Sequence, residues 1–412
     1  MLTNNMKPER YFFMLSEKMK ALGVKKSVIR EIFEYAKIRK AQIGAENVFD
    51  YSIGNPSVPS PDSVKEALIS LLSEREPTQL HGYTSAQGDL GVRKAIADYL
   101  NETYQADASE DLIYLTVGAA AALTISLNAV LSDERNEEVI VFAPFFPEYK
   151  VFVEKAGGKI CPVPCSASDF QIDFEAFEKA LNPATKAVIL NSPNNPTGVV
   201  LSESTIIRLT DILRKAEKNF GHPIYLIADE PYRELVYNGV EVPYLTRYYE
   251  NTIVCYSFSK ALSLPGERIG YILVSSKATD AKSVYAAVLG AGRALGFVCA
   301  PSLFQYMIPA CLGKTSDISI YDNNRKLLYD SLTSYGYTCA RPDGAFYLFV
   351  KALEDDAYAF CARAKKYELL LVPSDDFGFP GYVRIAYCVT TEQIQRSLPA
   401  FEALANDYKN EK

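Results

Sequence analysis

Tyr256-Ser257-Phe258-Ser259-Lys260, with Arg268 following in Gly266-Glu267-Arg268-Ile269-Gly270, is the stretch on which the reading of this chain turns. The run 251–257 is short and apolar, bounded by turn residues, and reads as a buried strand. It delivers a lysine into a small-residue turn flanked by two hydroxyls and one guanidinium. Such a turn suits a dianion held beside an amine that does carbonyl chemistry. An amine is a nucleophile only when neutral, and a neighbouring cation helps to keep it so. Taken alone, the run reads better as an exposed lysine after a buried strand, so the rest of the chain decides.

Working outward, further short apolar runs rich in Val and Ile lie at 113–117, 139–143, 187–190, 224–228, 253–256 and 271–274, separated by helical patterns. Their period does not separate strand from buried helix, but their length and bounding turns favour strands. Strands alternating with helices predict an α/β fold with a mostly parallel sheet covered on both faces. In such a sheet ligands gather beyond the carboxyl ends of the strands. Asn195, Asp229 and Lys260 each lie at or just past such an end. Gly118-Ala119-Ala120 reads as a helix start after the 113–117 strand. Beyond Ala300-Pro301 come a helical pattern over 323–335 and strands at 344–349 and 382–386.

The 412 residues suffice for two or three layers and two domains. With 48% hydrophobic and 23% charged residues, the balance is that of a globular chain. A net charge of −7 argues against a nucleic-acid partner. No apolar run reaches the roughly 18 residues of a membrane span. Residues 1–7 carry no apolar signal core, so the expected location is the cytoplasm. Eight scattered cysteines read as structural thiols, Cys161-Pro-Val-Pro-Cys165 being the one close pair. With His81 and His222 the only histidines, no metal site is expected.

Three further segments matter: Asn191-Ser192-Pro193-Asn194-Asn195-Pro196-Thr197-Gly198, Ile227-Ala228-Asp229-Glu230-Pro231-Tyr232, and Tyr382-Val383-Arg384-Ile385-Ala386. With the lysine run, their order and spacing resemble the class I/II aminotransferases of the aspartate aminotransferase type, fold type I enzymes that use pyridoxal 5′-phosphate (PLP). The resemblance extends from about Tyr51 to Arg384. It implies a large PLP-binding domain at 61–300, with a mostly parallel central sheet, and a smaller α+β domain at 301–412 completed by an N-terminal segment, 1–60.

By that resemblance Lys260 holds the cofactor covalently and later shuttles a proton. Asp229 faces the pyridine nitrogen, and Tyr232 and Asn195 share the cofactor's O3′. The phosphate sits on the helix start at Gly118, Ala119 and Ala120, with Ser257, Ser259 and Arg268. Ala119 and Ala120 offer no side-chain donor, unlike more polar relatives, which leaves more of the holding to backbone N–H groups, Ser257, Ser259 and Arg268. Phe146, in Pro144-Phe145-Phe146-Pro147-Glu148-Tyr149, is expected against the ring face. Tyr83, in Gly82-Tyr83-Thr84-Ser85-Ala86-Gln87-Gly88, is expected to cross to the cofactor phosphate of a second subunit, which implies a homodimer with shared sites. Arg384 matches the clamp on the substrate α-carboxylate, approached by Gly54 in Gly54-Asn55-Pro56. Arg293, in Gly290-Ala291-Gly292-Arg293-Ala294-Leu295-Gly296, lies near where dicarboxylate-specific relatives place an arginine for the distal carboxylate, although the surrounding motif does not match theirs.

The expected activity is transfer of an amino group between an L-amino acid and a 2-oxo acid, of aspartate or glutamate type. The same scaffold supports β-elimination from cysteine-like substrates, so a PLP-dependent lyase is the alternative. A non-enzymatic regulator on this fold would need a DNA-binding module for which this acidic chain has no room outside the matched region.

Overall fold

The computed structural model describes residues 15–24, 27–132 and 136–411. The opening residues 1–7 therefore lie outside the described residues. Twelve strands occur among the described residues. Phe49–Asp50 (β1) comes first, then Ile113–Thr116 (β2), Glu138–Ala143 (β3), Lys159–Pro164 (β4), Thr185–Asn191 (β5), Tyr225–Asp229 (β6), Thr252–Ser257 (β7) and Gly270–Val274 (β8). Tyr347–Lys351 (β9), Leu369–Leu370 (β10), Val372–Pro373 (β11) and Tyr382–Ala386 (β12) complete the set. Among the described residues, no helix is long and apolar enough to cross a membrane.

Strands β2 to β8 form one sheet in the order β2-β8-β7-β6-β5-β3-β4. The pairs from β4 through β7 are parallel, and β8 runs antiparallel between β7 and β2. The continuous apolar runs follow from burial on both faces. Val139, Val141, Ala187, Ile189, Ile227, Ile253 and Cys255 face one helical layer. The alternating residues Ile140, Phe142, Val188, Leu190, Leu226, Ala228 and Val254 face the other. The first layer includes the helices Ala119–Val130 and Ala281–Ala294. The second includes Leu90–Tyr104 and Glu203–Phe220.

Strand β4 escaped the sequence reading, which saw only a cysteine pair in Cys161-Pro-Val-Pro-Cys165. Proline cannot donate to a ladder and is confined to sheet edges. β4 is an edge strand, paired only to β3, and mostly not buried, so neither apolar continuity nor β-propensity marks it. The strand expected at 344–349 runs instead from Tyr347 to Lys351. Ala345 has a φ of 54°, in the left-handed region, so the chain is still turning before Tyr347. The helix expected over 323–335 starts earlier, at Ile318, where the Asp317 carboxylate accepts from Ser319 N at 3.0 Å.

A second core joins Tyr51 and Val58 to Tyr321, Leu328, Phe346, Leu348, Val383, Ile385 and Leu404. It is built around β9, β12 and the helices Ile318–Tyr335 and Thr391–Asn410. β1 pairs in parallel with β10, tying the N-terminal segment to this part. Tyr232 and Leu235, from the loop after β6, also belong to it. The helix Ser302–Cys311 packs on Asp62–Glu74 and sends Met307, Ile308 and Cys311 into the core of the large sheet.

One contact fixes the region where the lysine turn lies. Gly270 pairs with Ser257 on one side and Thr116 on the other. A Cβ there would lie 2.3 Å from Tyr256 O and 3.2 Å from both Gly118 Cα and Ser257 Cα. Strand β8, the Ser257 turn and the start of helix Ala119–Val130 thus meet where no side chain fits. Gly270→Ala is expected to cost about 1–3 kcal/mol of stability, the usual scale of overpacking. Denaturant unfolding measures it, and an unchanged midpoint would show that the three segments can part freely.

Candidate active site

The C-terminal ends of β5, β6 and β7 open onto a cavity of 320 Å³. Asn191 ends β5 and braces the loop that follows. Its Nδ2 donates to Asp229 O at 2.8 Å, and its Oδ1 accepts from Asn195 N at 2.7 Å. One side chain thereby sets both the carboxyl end of β6 and the position of Asn195, which lines the cavity.

Lys260 sits in the one-turn helix Phe258–Ala261, whose first residue follows Ser257 directly. Ser257 Oγ accepts from Ser259 N at 3.2 Å and donates to Ser259 Oγ at 2.8 Å, closing the turn. Lys260 Nζ donates to Gly54 O at 2.7 Å. Burial pushes the amine down to about 8, and Arg268 and Arg384 push in the same direction while Cys388 opposes them. Gly54 is tightly enclosed, since a Cβ there would lie 2.0 Å from Tyr347 Oη.

The residues expected to form an anion cradle come together. Ala119, Ala120, Ser257, Ser259 and Arg268 all line the cavity. Gly118 has a φ of 87°, and a Cβ on it would lie 2.7 Å from Arg268 Nη2. Glycine is therefore required both by the backbone and by the guanidinium lying against the helix start. Arg268 itself has a φ of 53°, and its Nη1 donates to Pro265 O at 3.0 Å. A helix N-terminus, two hydroxyls and a guanidinium make a site for a phosphate.

Asp229 is 5% exposed at the end of β6. Its Oδ2 accepts from Tyr149 Oη at 2.5 Å, while Oδ1 is buried without a partner. Burial pushes the carboxyl up to about 7, Tyr149 acts against that rise, and Glu230 adds to it. Tyr232 Oη lies 2.9 Å from Tyr347 Oη. Phe146 lines the cavity and meets the Tyr149 ring edge-on, centroids 5.7 Å apart.

Arg384, on β12, is 2% exposed. Its Nη1 donates to Asn195 Oδ1 at 3.1 Å and its Nη2 to Ser52 O at 2.6 Å, while Nε is buried without a partner. Its guanidinium carbon lies 4.7 Å from the Tyr347 ring centroid and 5.3 Å from that of Phe377. Stacking of this kind holds the planar fork in one orientation.

Three expected site residues are not among those lining this cavity: Gly118, which lies instead against Arg268, Tyr83 and Arg293. Tyr83 is fully exposed. Arg293 is exposed on the last turn of the helix Ala281–Ala294. Conversely, Tyr149, Tyr347 and Asn191 were not picked out from sequence. Tyr149 had a usable signal, standing in the first turn of a helix three residues after Phe146. Tyr347 and Asn191 had none beyond their positions in or beside quoted segments.

Residues 46–401 match the family model for aminotransferase class I and II. The chain belongs to the class I and II aminotransferases. The enzyme is also similar to an aspartate aminotransferase of Thermotoga maritima, 30% identical, with 95% of this chain and all of the relative covered. It is 28% identical to aromatic-amino-acid aminotransferase 2 of Thermococcus litoralis, over 94% of this chain and 97% of the relative. The crystal structure of an aminotransferase from Eubacterium rectale superposes with a TM-score of 0.94 at 55% identity, covering 96% of this chain and 99% of that one. The family depends on PLP and moves amino groups between amino acids and 2-oxo acids. The residues of this transaminase fit that cofactor: the unpartnered Asp229 Oδ1 suits a protonated ring nitrogen, and the Arg268 cradle suits a phosphate.

The lowered lysine has a consequence for stability. In the cofactor-free aminotransferase, folding buries an ammonium at pH 7, at a cost on the order of 3 kcal/mol. Lys260→Met is expected to recover that stability at pH 7. The gain should shrink as the pH rises from about 8 towards 10.5, because the unfolded chain then keeps a proton that the folded wild type has shed. Denaturant midpoints at pH 7 and pH 10 measure both effects, and an equal gain at the two values would contradict the assignment.

Proposed function

We propose that this aminotransferase uses PLP to move an amino group between an L-amino acid, of aspartate or glutamate type, and a 2-oxo acid. The observation that carries the reading is the convergence of Lys260, Asp229, Arg268 and Arg384 on one cavity. When bound, the cofactor supplies an electron sink next to the substrate Cα. Lys260 would hold it covalently, with Asp229 against the ring nitrogen and Tyr232 and Asn195 against the ring oxygen. Gly118, Ala119, Ala120, Ser257, Ser259 and Arg268 would hold the phosphate, and Phe146 would lie on the ring face.

The rest of the work falls to the chain itself. Arg384 orients the substrate by its α-carboxylate, with Asn195 and Gly54 at the same place. Lys260, freed when the substrate amine takes its place and with its own amine lowered to about 8, would take the Cα proton at Nζ and give it back as the transfer proceeds. Support for an acidic donor comes from the aspartate aminotransferase relative. Among the described residues of one chain, the charged groups lining the cavity are Asp229, Lys260, Arg268 and Arg384. For a distal carboxylate, the exposed Arg293 of a second copy is our candidate cation. Tyr83, also exposed, would complete the phosphate site of that copy in a homodimer.

The reading includes a division into 61–300 and 301–412, the latter completed by 1–60. The second core, which joins Tyr51 and Val58 to the C-terminal part, supports it. The helix Ser302–Cys311, packed on the large sheet, is the segment that crosses that line. A cytoplasmic location is supported by eight free cysteines, four of them buried.

A panel of amino donors with 2-oxoglutarate tests the reaction. Aspartate is expected to give stoichiometric oxo acid, and Lys260→Ala to abolish turnover with the fold intact. Release of pyruvate and ammonia from a cysteine-type donor, without an acceptor, would instead mark a lyase.

Two arginine variants separate the roles at either end of the substrate. Arg384→Lys is expected to raise KM for every donor, because a point ammonium cannot reproduce a fork. Arg293→Ala is expected to lower kcat/KM for aspartate and glutamate by roughly 10²-fold, with alanine and aromatic donors little changed. Equal losses across all donors would remove Arg293 from the site.

A further inference from the structure

Asp229 is held from an element outside the strand that carries it. Tyr149 stands in the first turn of the helix Glu148–Lys155, is 2% exposed, and donates to Asp229 Oδ2. That bond leaves Oδ1 as the buried oxygen without a partner, on a residue that lines the cavity. We propose that Tyr149 is the positioning residue that directs the Asp229 carboxylate, engaging Oδ2 so that Oδ1 is presented to a cationic ring nitrogen.

A neutral phenol beside a carboxylate donates its single proton and so favours the charged form. Burial and Asp229 hold the Tyr149 hydroxyl well above its usual range, which keeps it a donor. The other groups around Asp229 do not replace it. Glu230 is engaged by Arg233, whose Nε donates to Glu230 Oε2 at 2.6 Å. Tyr232 is hydrogen-bonded to Tyr347, and Cys255, from β7, to Ser126. Lys260 and Arg384 line the same cavity but are bonded to Gly54 O, and to Asn195 and Ser52 O, respectively. The Asn191 amide reaches only the Asp229 backbone oxygen. Tyr149 also meets the Phe146 ring edge-on, so the same side chain touches both the carboxylate and a ring lining the cavity.

This inference rests on the PLP reading for its purpose but not for its test. The Asp229 carboxyl is titrated by infrared difference spectroscopy in the full-length cofactor-free chain, with Asp229→Asn assigning the band. In Tyr149→Phe, which removes one oxygen and keeps the ring, the titration is expected to move up from about 7 by about one unit. The Kd for PLP near pH 8 is expected to rise several-fold, and Val153→Ala, on the same helix but without a polar atom, to move neither quantity. Should Tyr149→Phe fail to fold, Tyr149→Leu serves for the same measurement. An unmoved titration, or an equal movement in Val153→Ala, overturns the proposal. Failure of the wild type to bind PLP, with the titration still shifted, overturns the cofactor reading and leaves the role of Tyr149 standing.

Discussion

Desolvation acts on two groups of opposite sign in the same cavity. Burial drives the Lys260 amine down to about 8 and the Asp229 carboxyl up to about 7. Each is pushed towards its neutral form, so a base and an acid that would be fully charged in water meet near neutrality. For the amine this is the useful state, since only the free base can attack a carbonyl or take a proton. For the carboxyl it is a poised state: a cation entering beside Oδ1 would draw it back to the charged form. Two guanidinium groups, Arg268 and Arg384, help to hold the lysine down.

Such a balance needs positions that do not drift, and the large sheet supplies them. Asn191, Asp229 and Ser257 end three adjacent parallel strands, which places them on one edge of a rigid layer buried on both faces. The close approach at Gly270 brings the helix start at Gly118 against the Ser257 turn, and the bare Cα of Gly118 leaves room for Arg268. The anion cradle is thus made by backbones that approach because two glycines carry no side chain.

Arg384 comes from the other core. Its fork reaches Asn195 from the large sheet's loop and Ser52 O from the N-terminal segment, while Tyr347 and Phe377 lie on its faces. Tyr232, three residues beyond the end of β6 at Asp229, packs into that second core and is bonded to Tyr347. The two cores are therefore joined by the same side chains that line the cavity. A displacement of one core against the other would be felt at Arg384 and Tyr232 together.

Much of this was legible in the sequence, for a physical reason. Doubly buried strands must be apolar without interruption, and residues just past them must sit at the sheet's edge, so Asn195, Asp229 and Lys260 could be assigned to one crevice. Strand β12 was found with its bounds because Tyr382–Ala386 is one of the segments that carry the family resemblance. Edge strand β4 was not, because an exposed strand with two prolines carries none of the signals of burial. What only the tertiary structure decided are contacts between residues distant in the chain. Tyr149 reaches Asp229 across 80 residues, and Lys260 reaches Gly54 across 206. Local patterns record which face a residue presents and cannot record what packs against it. The sequence determined the elements and the residues at their ends; three-dimensional packing decided their protonation and their direction, because both depend on who else is buried there.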